Sequence, residues 1–485
     1  MKRSILLVGT AILAACASSP AKLSGLAGER VDFFAQAPEA PAEWAASGVV
    51  GKAPKGDWLT QFNDPVMMSL VSEALAHNPT LKSRAAAVRA AEAATRTARS
   101  AGRPTLDASV SAGTTSTGFQ TVTGDTDRTN SEIYGVGLDA SWELDLWGRI
   151  GASVNAAEAD YAASEADLAA AELSLAAQTA IAWIGLNEAL AQERVAEATY
   201  DARDRVRLLT ERRFQRGLVD ALDVRTARSA LANAEAAIAA RRQITGETAR
   251  RLEILLGRYP AAEIAAPAEI PALGPMEAEG NPALLLSRRP DIAAAEARIE
   301  AAGMRAEAAR LAMLPALRLT ASASTSEAEF ADAFDPELIA ARLIGNLIAP
   351  IYAGGRLDAQ RDAAIAQAEA VVANYATATL AAWGEVENAL AADDYLASQE
   401  EAQVRALEEA RLAEDLALRK YTTSDTLTIF NLIDAQTRRL TAESQLISAR
   451  ANRAANRISY HLALGGGLPV LTAATTQTPT EDAAE

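Results

Sequence analysis

One pattern occurs twice in this chain: a long helical stretch, a turn, and a shorter helical stretch that runs back. Gly148 recurs as Gly355 and Gly257 recurs as Gly465, so the copies are offset by 207 or 208 residues. An internal repeat of this length constrains the architecture more than any local signal does. We therefore expect two similar halves that stack into one body.

The long stretch of the first copy, from Gly151 to Arg216, has the period of a coiled coil. Its larger apolar residues recur at spacings of seven and eight: Leu168, Leu175, Trp183 and Leu190. Most of the remaining seam is alanine, which lets neighbouring helices approach closely. At a rise of 1.5 Å per residue this helix is roughly 100 Å long. A helix of that length must pack against other long helices, which predicts two helical hairpins per chain.

The composition agrees with this architecture and excludes one class of partner. The 485 residues carry a formal charge of −17, and aromatic residues make up only 5% of the chain. An acidic chain without a basic stripe is not expected to bind nucleic acid. The apolar content comes largely from alanine, which suits long, closely packed helices better than a wide globular core.

The N-terminus has the features of a bacterial lipoprotein signal peptide at residues 1–15. Two basic residues precede an apolar run, and residues 13–16 match the lipoprotein processing box. That box ends in Cys16, the only cysteine of the chain. We expect Cys16 to be the acylated mature N-terminus, so that a covalent lipid anchors the protein and no other cofactor is required. The alternative is an ordinary signal peptide with an accidental cysteine.

The remainder of the chain divides into five segments. Residues 16–60 are rich in Pro, Gly and Ser and are predicted to be a lipidated tether. Residues 61–257 form the first structural repeat, and residues 290–467 form the second. The proline-rich stretch 258–289 is expected to be an irregular connector between them. The acidic tail 468–485 is expected to be disordered.

Each half also contains stretches in which apolar and polar residues alternate, which is the period of a β-strand. In the first half these stretches are 105–112 and 135–146. In the second half they are 317–324 and 343–352, and the last is apolar on nearly both faces. The pattern predicts four strands per chain, each with one side for the membrane.

Acidic residues fall on the polar side of the second strand, where they would line a lumen: Asp139, Glu143 and Asp145. The long polar stretches between the paired strands, 114–132 and 325–337, are expected to be extracellular loops.

Strands of about ten residues are long enough to cross a bilayer when tilted. A sheet of four strands has two open edges, and open edges cannot face lipid. Strands from other copies must therefore close the sheet, with eight strands in a dimer or twelve in a trimer. The alternative is a soluble β-sheet attached to a helical protein.

Residues that usually carry catalysis are scarce. The two histidines, His77 and His461, lie apart at predicted helix ends, and no Cys/His cluster or nucleotide-binding glycine loop is present. Acidic pairs such as Asp393-Asp394 are better explained as solvated helix faces. We do not expect an enzyme.

The chain from about Trp58 to Gly467 resembles the outer-membrane efflux proteins, the TolC and OprM type of channel, and among them the NodT-like lipoproteins. The motifs that carry the resemblance follow one another on the two copies: Leu146-Trp147-Gly148-Arg149, Phe214-x-x-Gly217-Leu218-Val219, Gly354-Gly355-Arg356, Glu385-Val386-Glu387-Asn388-Ala389-Leu390, Leu432-Ile433-Asp434-Ala435-Gln436 and Ala463-Leu464-Gly465-Gly466-Gly467.

This resemblance implies a mainly α-helical protein with a membrane β-barrel. Three copies would share a twelve-stranded barrel in the bacterial outer membrane and a coiled-coil α-barrel tunnel across the periplasm. The resemblance also implies a periplasmic adaptor and an inner-membrane pump as partners. The expected function is a passive, lipid-anchored exit duct of a tripartite efflux or type I export system. The alternative is a periplasmic coiled-coil scaffold lipoprotein without a pore.

The resemblance further implies a gate at the periplasmic tip, where the hairpins turn. Asp434 matches the aspartate of a ring of acids around the pore, and Phe430 matches an apolar constriction one helical turn away. Asp223 and Tyr421 match an acid–tyrosine pair that latches the helix pairs. The alternative is that the two aspartates only cap or solvate their helices.

Two positions depart from the family pattern at this gate. Asn431 stands where some members carry a second acid, and Ser424-Asp425 replaces the glycine of the second turn. Asp425 therefore belongs to the candidate gate as a possible additional charge.

Overall fold

The computed structural model describes residues 40–41, 43–46, 58–120, 124–271, 273–274, 276, 281–423 and 427–466. Several predictions lie outside these residues. They concern the signal peptide 1–15, the lipidation of Cys16, most of the tether 16–60, the turn residue Asp425 and the tail 468–485.

The first half contains two short helices, two strands and two long helices. After a short 3-10 turn at Leu59–Phe62, they are α1 (Pro65–His77), α2 (Pro79–Ser100), β1 (Thr105–Gln120), β2 (Thr126–Leu144), α3 (Arg149–Gln215) and α4 (Ala221–Leu255). The second half contains the same order of elements: α5 (Pro282–Arg288), α6 (Pro290–Leu311), β3 (Ala316–Ser324), β4 (Ala340–Ile348), α7 (Arg356–Thr423) and α8 (Ile429–Ala463). The duplicated, mainly helical fold with four strands is confirmed.

Glycines and capping side chains set the ends of these helices. The helix α3 begins after Gly148, at φ +82°, and its last turn ends at Gly217, at φ +70°. Only a glycine adopts such a left-handed conformation at no steric cost. Asp64 accepts hydrogen bonds from the first amides of α1, and Asn78 does so for α2. These residues therefore mark the starts of α1, α2 and α3 and the turn of the first long hairpin.

The two long hairpins pack side by side through alanine-rich seams. The 67 residues of α3 and the 68 residues of α7 each give a helix of roughly 100 Å. Helix α8 of the second hairpin packs along α3 of the first. Two interhelical ion pairs, Arg298–Asp167 and Arg305–Asp160, attach α6 to α3. Each chain thus supplies four long helices to whatever assembly it forms.

The four strands form one antiparallel sheet in the order β1-β2-β3-β4. Strands β1 and β2 pair without interruption from Thr105↔Ser141 to Gln120↔Thr126, so they are longer than predicted. Most of the predicted loop 114–132 is therefore strand, because residues 114–120 pair with residues 126–132. The polarity of this stretch did not distinguish a strand from a loop, because Thr, which is frequent there, is also favoured in strands. Strands β1 and β4 are the two edges of the sheet.

The two largest apolar cores of the described residues lie near the middle of the hairpins, one mainly in each half. The first contains Trp58 and Trp183, and the second contains Trp44 and Trp383. Trp44, which is 1% exposed, comes from the N-terminal segment. The next two backbone amides, Ala45 and Ala46, donate to the carboxylate of Glu387 at 2.7 and 2.8 Å. The N-terminal segment is thereby attached to the core of the second half.

The described part of the connector is irregular and is held by buried carboxylates. Glu253 is 2% exposed and accepts the backbone amides of Ala262 and Glu263, each at 2.7 Å. Asp393, which was expected on a solvated helix face, is instead 4% exposed and accepts the amide of Met276 at 3.3 Å. The connector is therefore part of the packed structure between the two halves.

Candidate functional site

The sheet separates a polar face from an apolar face. Directly paired residues of antiparallel strands point to the same side, and the register places Asp107 opposite Asp139 and Ser109 opposite Gly137. The residues between them form the apolar face, on which Leu106, Val110 and Leu343 are 69%, 75% and 75% exposed. A soluble sheet would bury such a face. This one is left for contact with lipid, which makes the polar face the lining of a lumen.

The lumen acids predicted on β2 differ in their surroundings. Asp139 is paired with Asp107 of β1 on one side and with Ser322 of β3 on the other, and it is exposed. Glu143 is paired instead with Arg149 at 2.5 Å and with Arg318 of β3 at 3.5 Å. Of these two acids, Glu143 therefore has its charge compensated by two arginines at the base of the sheet.

Asp145 is not a lumen acid of the strand, and that prediction is wrong. Strand β2 ends at Leu144. The carboxylate of Asp145 accepts the amides of Ile150 and Gly151 at 3.1 and 2.7 Å. A carboxylate at this position stabilises the N-terminal turn of a helix, where backbone amides lack partners. Its alternation with the strand residues is accidental, because the chain has already turned into α3.

The opposite end of the molecule holds the predicted gate, and Tyr421 lies at its centre. Tyr421 is 1% exposed, and its hydroxyl is 3.0 Å from the hydroxyl of Thr210 on α3. The guanidinium of Arg213, also on α3, donates to the carbonyl of Tyr421 and lies 4.9 Å from the centre of its ring. Tyr421 thus joins the end of α7 to α3.

This geometry corrects the predicted acid–tyrosine latch within one chain, because Thr210 rather than Asp223 binds the hydroxyl of Tyr421. Asp223 lies in the first turn of α4, where its amide donates to Asp220 at 3.1 Å. Partial burial and the charge of Asp220 raise the pKa of Asp223, and the charge of Arg213 opposes that shift. Arg213 therefore contacts Tyr421 directly and acts on Asp223 through its charge.

A second arginine of α3, Arg203, joins the other helix of the second hairpin. It is 7% exposed and donates to Gln436 and Thr437 of α8 at 2.8 Å each. It also donates twice to the carbonyl of Ile433, at 3.3 Å. Burial lowers the pKa of Arg203, and the nearby charge of Glu414 opposes this effect. A buried arginine with four hydrogen bonds holds α8 firmly against α3.

Asp434, the predicted ring aspartate, lies on the exposed side of α8. It is paired with Arg438, one turn further along, at 2.8 Å, and the two side chains are 60% and 74% exposed. Phe430, one turn before Asp434, is 53% exposed. Asn431 accepts the hydroxyl of Thr428, the residue before α8, at 2.6 Å. The structure therefore leaves Phe430 and Asp434 available to neighbouring copies, whereas Asn431 serves its own helix start.

The sequence analysis missed Arg203, Thr210, Arg213 and Arg438. A signal for the first three was present. Arg203, Val206, Thr210 and Arg213 follow one another at spacings of three, four and three residues, which is the register of a coiled-coil seam. A polar residue in a seam position must find a partner there. Only the structure shows that these partners come from the second hairpin.

No group of three or more His, Cys, Asp or Glu side chains in the described residues could hold a metal ion. The polar clusters in this part of the chain join arginines to carboxylates, amides and carbonyl groups, or, as between Gln192 and Ser444, join amides to hydroxyl groups. Their chemistry is that of attachment between helices.

Comparisons with known proteins agree with this geometry. The family model described as outer membrane efflux protein matches residues 70–258 and 281–466. The chain is 32% identical over 475 residues to the pyoverdine export outer membrane protein OpmQ of Pseudomonas aeruginosa, covering 96% of this chain and 97% of that protein. It is 30% identical over 421 residues to the toluene efflux pump outer membrane protein TtgF of Pseudomonas putida, covering 85% of each chain.

Solved structures have the same fold. The outer-membrane channel OprN is 28% identical with a TM-score of 0.78, covering 89% of this chain and 98% of that chain. The MtrE outer membrane channel of Neisseria gonorrhoeae, described in its open state, is 27% identical with a TM-score of 0.76, covering 89% and 96%.

Proposed function

Because this chain belongs to the outer membrane efflux protein family, we propose that three copies form a single exit duct with a gate at its periplasmic end. The chain is an outer-membrane channel of an efflux system and reaches from the outer membrane into the periplasm.

The observation that carries the proposal is the four-stranded sheet with two open edges and two different faces. Each edge presents unpaired N–H and C=O groups, and each unpaired group costs several kcal/mol in lipid. Two copies would close eight strands, a barrel whose interior side chains nearly fill. Three copies would close twelve and leave a lumen lined by the polar row that includes Asp107 and Asp139. A duct therefore favours the trimer.

The helical hairpins extend the same passage. Three copies of α3, α4, α7 and α8 supply twelve long helices, which would surround a tunnel beneath the barrel. The tip of this tunnel contains Phe430 and Asp434, both exposed in the single chain. Threefold symmetry would bring three copies of each side chain around one axis. We propose that they form the narrowest ring of the duct.

The closed state of this ring would be maintained by α3. Arg203 attaches α8, and Thr210 with Arg213 attaches the end of α7. Moving the second hairpin away from the axis would have to break these contacts. Asp223 remains a candidate for contact with Arg213 or with a neighbouring copy. Asp425, outside the described residues, remains a candidate charge of the same turn.

Acylation of Cys16 would add a second attachment to the outer membrane. The processing box at residues 13–16 supports it. A lipid chain in the inner leaflet and a barrel through the bilayer are compatible, and Trp44, which shares a core with Trp383 of α7, attaches the N-terminal segment to the helical part of the protein. No other cofactor is proposed.

The partners proposed are a periplasmic adaptor and an inner-membrane pump, which would deliver substrate to the tip. The names of OpmQ and TtgF describe outer-membrane parts of export or efflux systems for pyoverdine and for toluene. The described lumen row contains acids such as Asp107 and Asp139 beside the ion-paired Glu143, and a row of charges attracts ions by sign rather than by shape, so we propose that the pump rather than the duct selects the substrate.

Conductance tests the duct against the alternative of a poreless scaffold lipoprotein. We expect the purified full-length protein to form ion channels in planar bilayers and to migrate as a cross-linkable trimer in detergent. The polar rows make the lumen acidic, so the channels should prefer cations. The absence of conductance from a trimer in which the sheet is formed would support the scaffold and contradict the duct.

A further inference from the structure

The outward face of the β1–β2 hairpin changes from apolar to polar at one level. Below it the paired residues are apolar, with Leu106 opposite Ala140, Ala108 opposite Leu138 and Val110 opposite Val136. Above it they are polar, with Thr114 opposite Glu132 and Ser116 opposite Asn130. Tyr134, opposite Ala112, lies at the boundary. An amphipathic tyrosine is the residue type found where hydrocarbon meets head groups.

The height of this boundary matches the thickness of an outer-membrane barrel. Ten residues separate Leu144, at the base of β2, from Tyr134. At about 3.3 Å per residue they span roughly 33 Å along the strand, or about 25 Å along the membrane normal at a tilt of about 40°. The apolar band of membrane barrels is about 25 Å tall and is bordered by aromatic girdles. Trp142 and Tyr134 thus lie near the lower and upper borders of this apolar band.

The segment between β3 and β4, residues 325–339, packs onto this boundary from the outward side. Tyr134 and Glu327 exchange two backbone hydrogen bonds of 2.8 Å. Thr325 follows the outward row of β3 by alternation, and its hydroxyl donates to the carbonyl of Ala333 at 2.6 Å. Thr325 and Ala333 are 7% and 2% exposed. The segment is therefore folded down against the sheet and does not extend freely above it.

Two phenylalanines of this segment join Tyr134 in an aromatic cluster. The ring of Phe330 is 5.6 Å from that of Tyr134, and the ring of Phe334 is 5.3 Å from that of Phe330, both edge to face. Phe330 and Phe334 remain 60% and 59% exposed. Large apolar side chains at such exposure indicate a contact surface that is incomplete in the single chain.

The charges of the segment limit how deeply it can enter a membrane. Between residues 325 and 339 there are five acids and no basic residue. Acids cannot enter hydrocarbon without a large desolvation cost. The two rings can enter the boundary layer only if the acids remain among the head groups and water. The aromatic cluster is continuous with the lipid-facing row of β2, so we infer that lipid covers its exposed rings.

We propose that residues 325–334 form a flap that rests on the outer leaflet, with Phe330 and Phe334 inserted among the lipids at the level of Tyr134. The flap lies on the outward side of the sheet, so it leaves the lumen open. This inference rests on the membrane barrel proposed above, and it adds the outer boundary of the bilayer and the residues that contact lipid there.

Site-directed spin labelling tests the flap in the full-length protein reconstituted in phospholipid vesicles. A nitroxide is attached to the single variants Phe330→Cys and Phe334→Cys, and unsubstituted protein labelled in parallel measures any background from Cys16. Oxygen concentrates in lipid and a charged nickel chelate stays in water, so the two collision rates report depth. The control variants are Leu343→Cys on the lipid-facing row, Asn130→Cys above the boundary and Ser322→Cys on the lumen row.

We expect labels at 330 and 334 to show depths between those at 343 and 130, with oxygen collision rates well above that at 322. Labels at 330 and 334 that resemble those at 322 or 130 would place the segment in the lumen or in water and overturn the flap. A label at 343 without access to oxygen would instead contradict the barrel itself.

A functional measurement separates a lipid flap from a lid over the exit. The double variant Phe330→Ser with Phe334→Ser should leave single-channel conductance within experimental scatter of the parent, because neither ring faces the lumen. An increase in conductance would identify the segment as a lid and contradict the flap.

Discussion

At the scale of single residues, the most informative side chains are polar ones in an apolar seam. Arg203 and Thr210 occupy seam positions of α3 and are 7% and 0% exposed. Removing one partner of a buried hydrogen-bonded pair leaves the other unsatisfied, at a cost larger than the net strength of the bond. Such residues make the attachment of two helices specific, and here both attach the second hairpin at the level of the proposed gate.

We predict that Arg203→Met favours the open state. The variant keeps the length of the side chain but removes its hydrogen bonds to Ile433, Gln436 and Thr437. A hydrogen bond to a charged group contributes about 1.5–3 kcal/mol, so loss of one such contribution would shift the closed–open ratio roughly ten- to hundredfold. Planar-bilayer recordings should show a higher open probability, and cells should admit large antibiotics.

Two matched variants control this prediction. Arg203→Lys retains the positive charge with fewer donors and should lie between the parent and Arg203→Met. Arg438→Met removes an exposed partner of Asp434 and should change ion selectivity more than open probability. An Arg203→Met channel that stays as closed as the parent would show that α3 does not hold the gate.

At the scale of elements, the first and last parts of the described fold meet at Trp58 and His461. Their rings are stacked at 6.0 Å, and His461, near the end of α8, is 3% exposed. The motif around Glu387 on α7 has a comparable role for the N-terminal segment, because it accepts two backbone amides beside Trp44. The first and last described segments are thus packed against the cores of the two halves.

We predict that acid weakens the packing of α8 through His461. Burial, with a smaller effect from the charge of Arg457, lowers the pKa of His461 from 6.5 to about 4. Above pH 6.5 the imidazole is neutral in the folded and unfolded states and contributes no pH dependence. As the pH falls from about 6.5 to 4, the unfolded chain binds the proton and the folded chain does not. Stability is therefore lost over this range, by up to about 3 kcal/mol.

Thermal unfolding followed by circular dichroism at pH 7.5 and pH 4.5 measures this effect. His461→Phe preserves a ring beside Trp58 without a titrating group, so it should lose less stability on acidification than the parent. Carboxylates titrate in both proteins, so the contribution of His461 is the stability lost by the parent on acidification minus the stability lost by His461→Phe. Equal losses would contradict the contribution of His461.

At the scale of the whole molecule, the single chain leaves sheet edges and apolar helix surfaces uncovered. Its sheet ends in two unpaired edges, and α3, α4, α7 and α8 carry exposed apolar residues such as Leu222, Leu412 and Phe430. Barrel closure satisfies the edges only through other copies. The membrane-inserted state is therefore stabilised by strand pairing between chains, and a lipid on the N-terminus would add anchoring without replacing it.

We predict that Cys16→Ser abolishes acylation but not assembly. The variant should incorporate no labelled palmitate and should retain its signal peptide, visible as a larger mass. Part of the protein should still form conducting trimers, because hydrogen bonds between strands close the barrel. Unchanged mass and unchanged palmitate incorporation would refute the lipoprotein assignment, whereas complete loss of trimers would show that the anchor is required for insertion.

The sequence by itself determined the duplication, the long hairpins and the alternation of the strands, because these depend on periods of two, three to four, and seven residues along one chain. It also marked the start of α3 and the turn of the first long hairpin, since Gly148 and Gly217 adopt backbone conformations that other residues avoid. Asp145 shows the limit of such periods: the alternation continued past the end of β2, and only the turn of the chain into α3 made this acid a helix cap.

Only the tertiary structure decided which residues meet across the repeat. Thr210 rather than Asp223 pairs with Tyr421, and Arg203 reaches Gln436, in each case across more than 200 residues of sequence. The segment that carries Phe330 looks like a polar loop in sequence, and its folding onto Tyr134 depends on the register of β2 with β3. Register and packing between distant elements depend on the shape of both partners, which no local period contains.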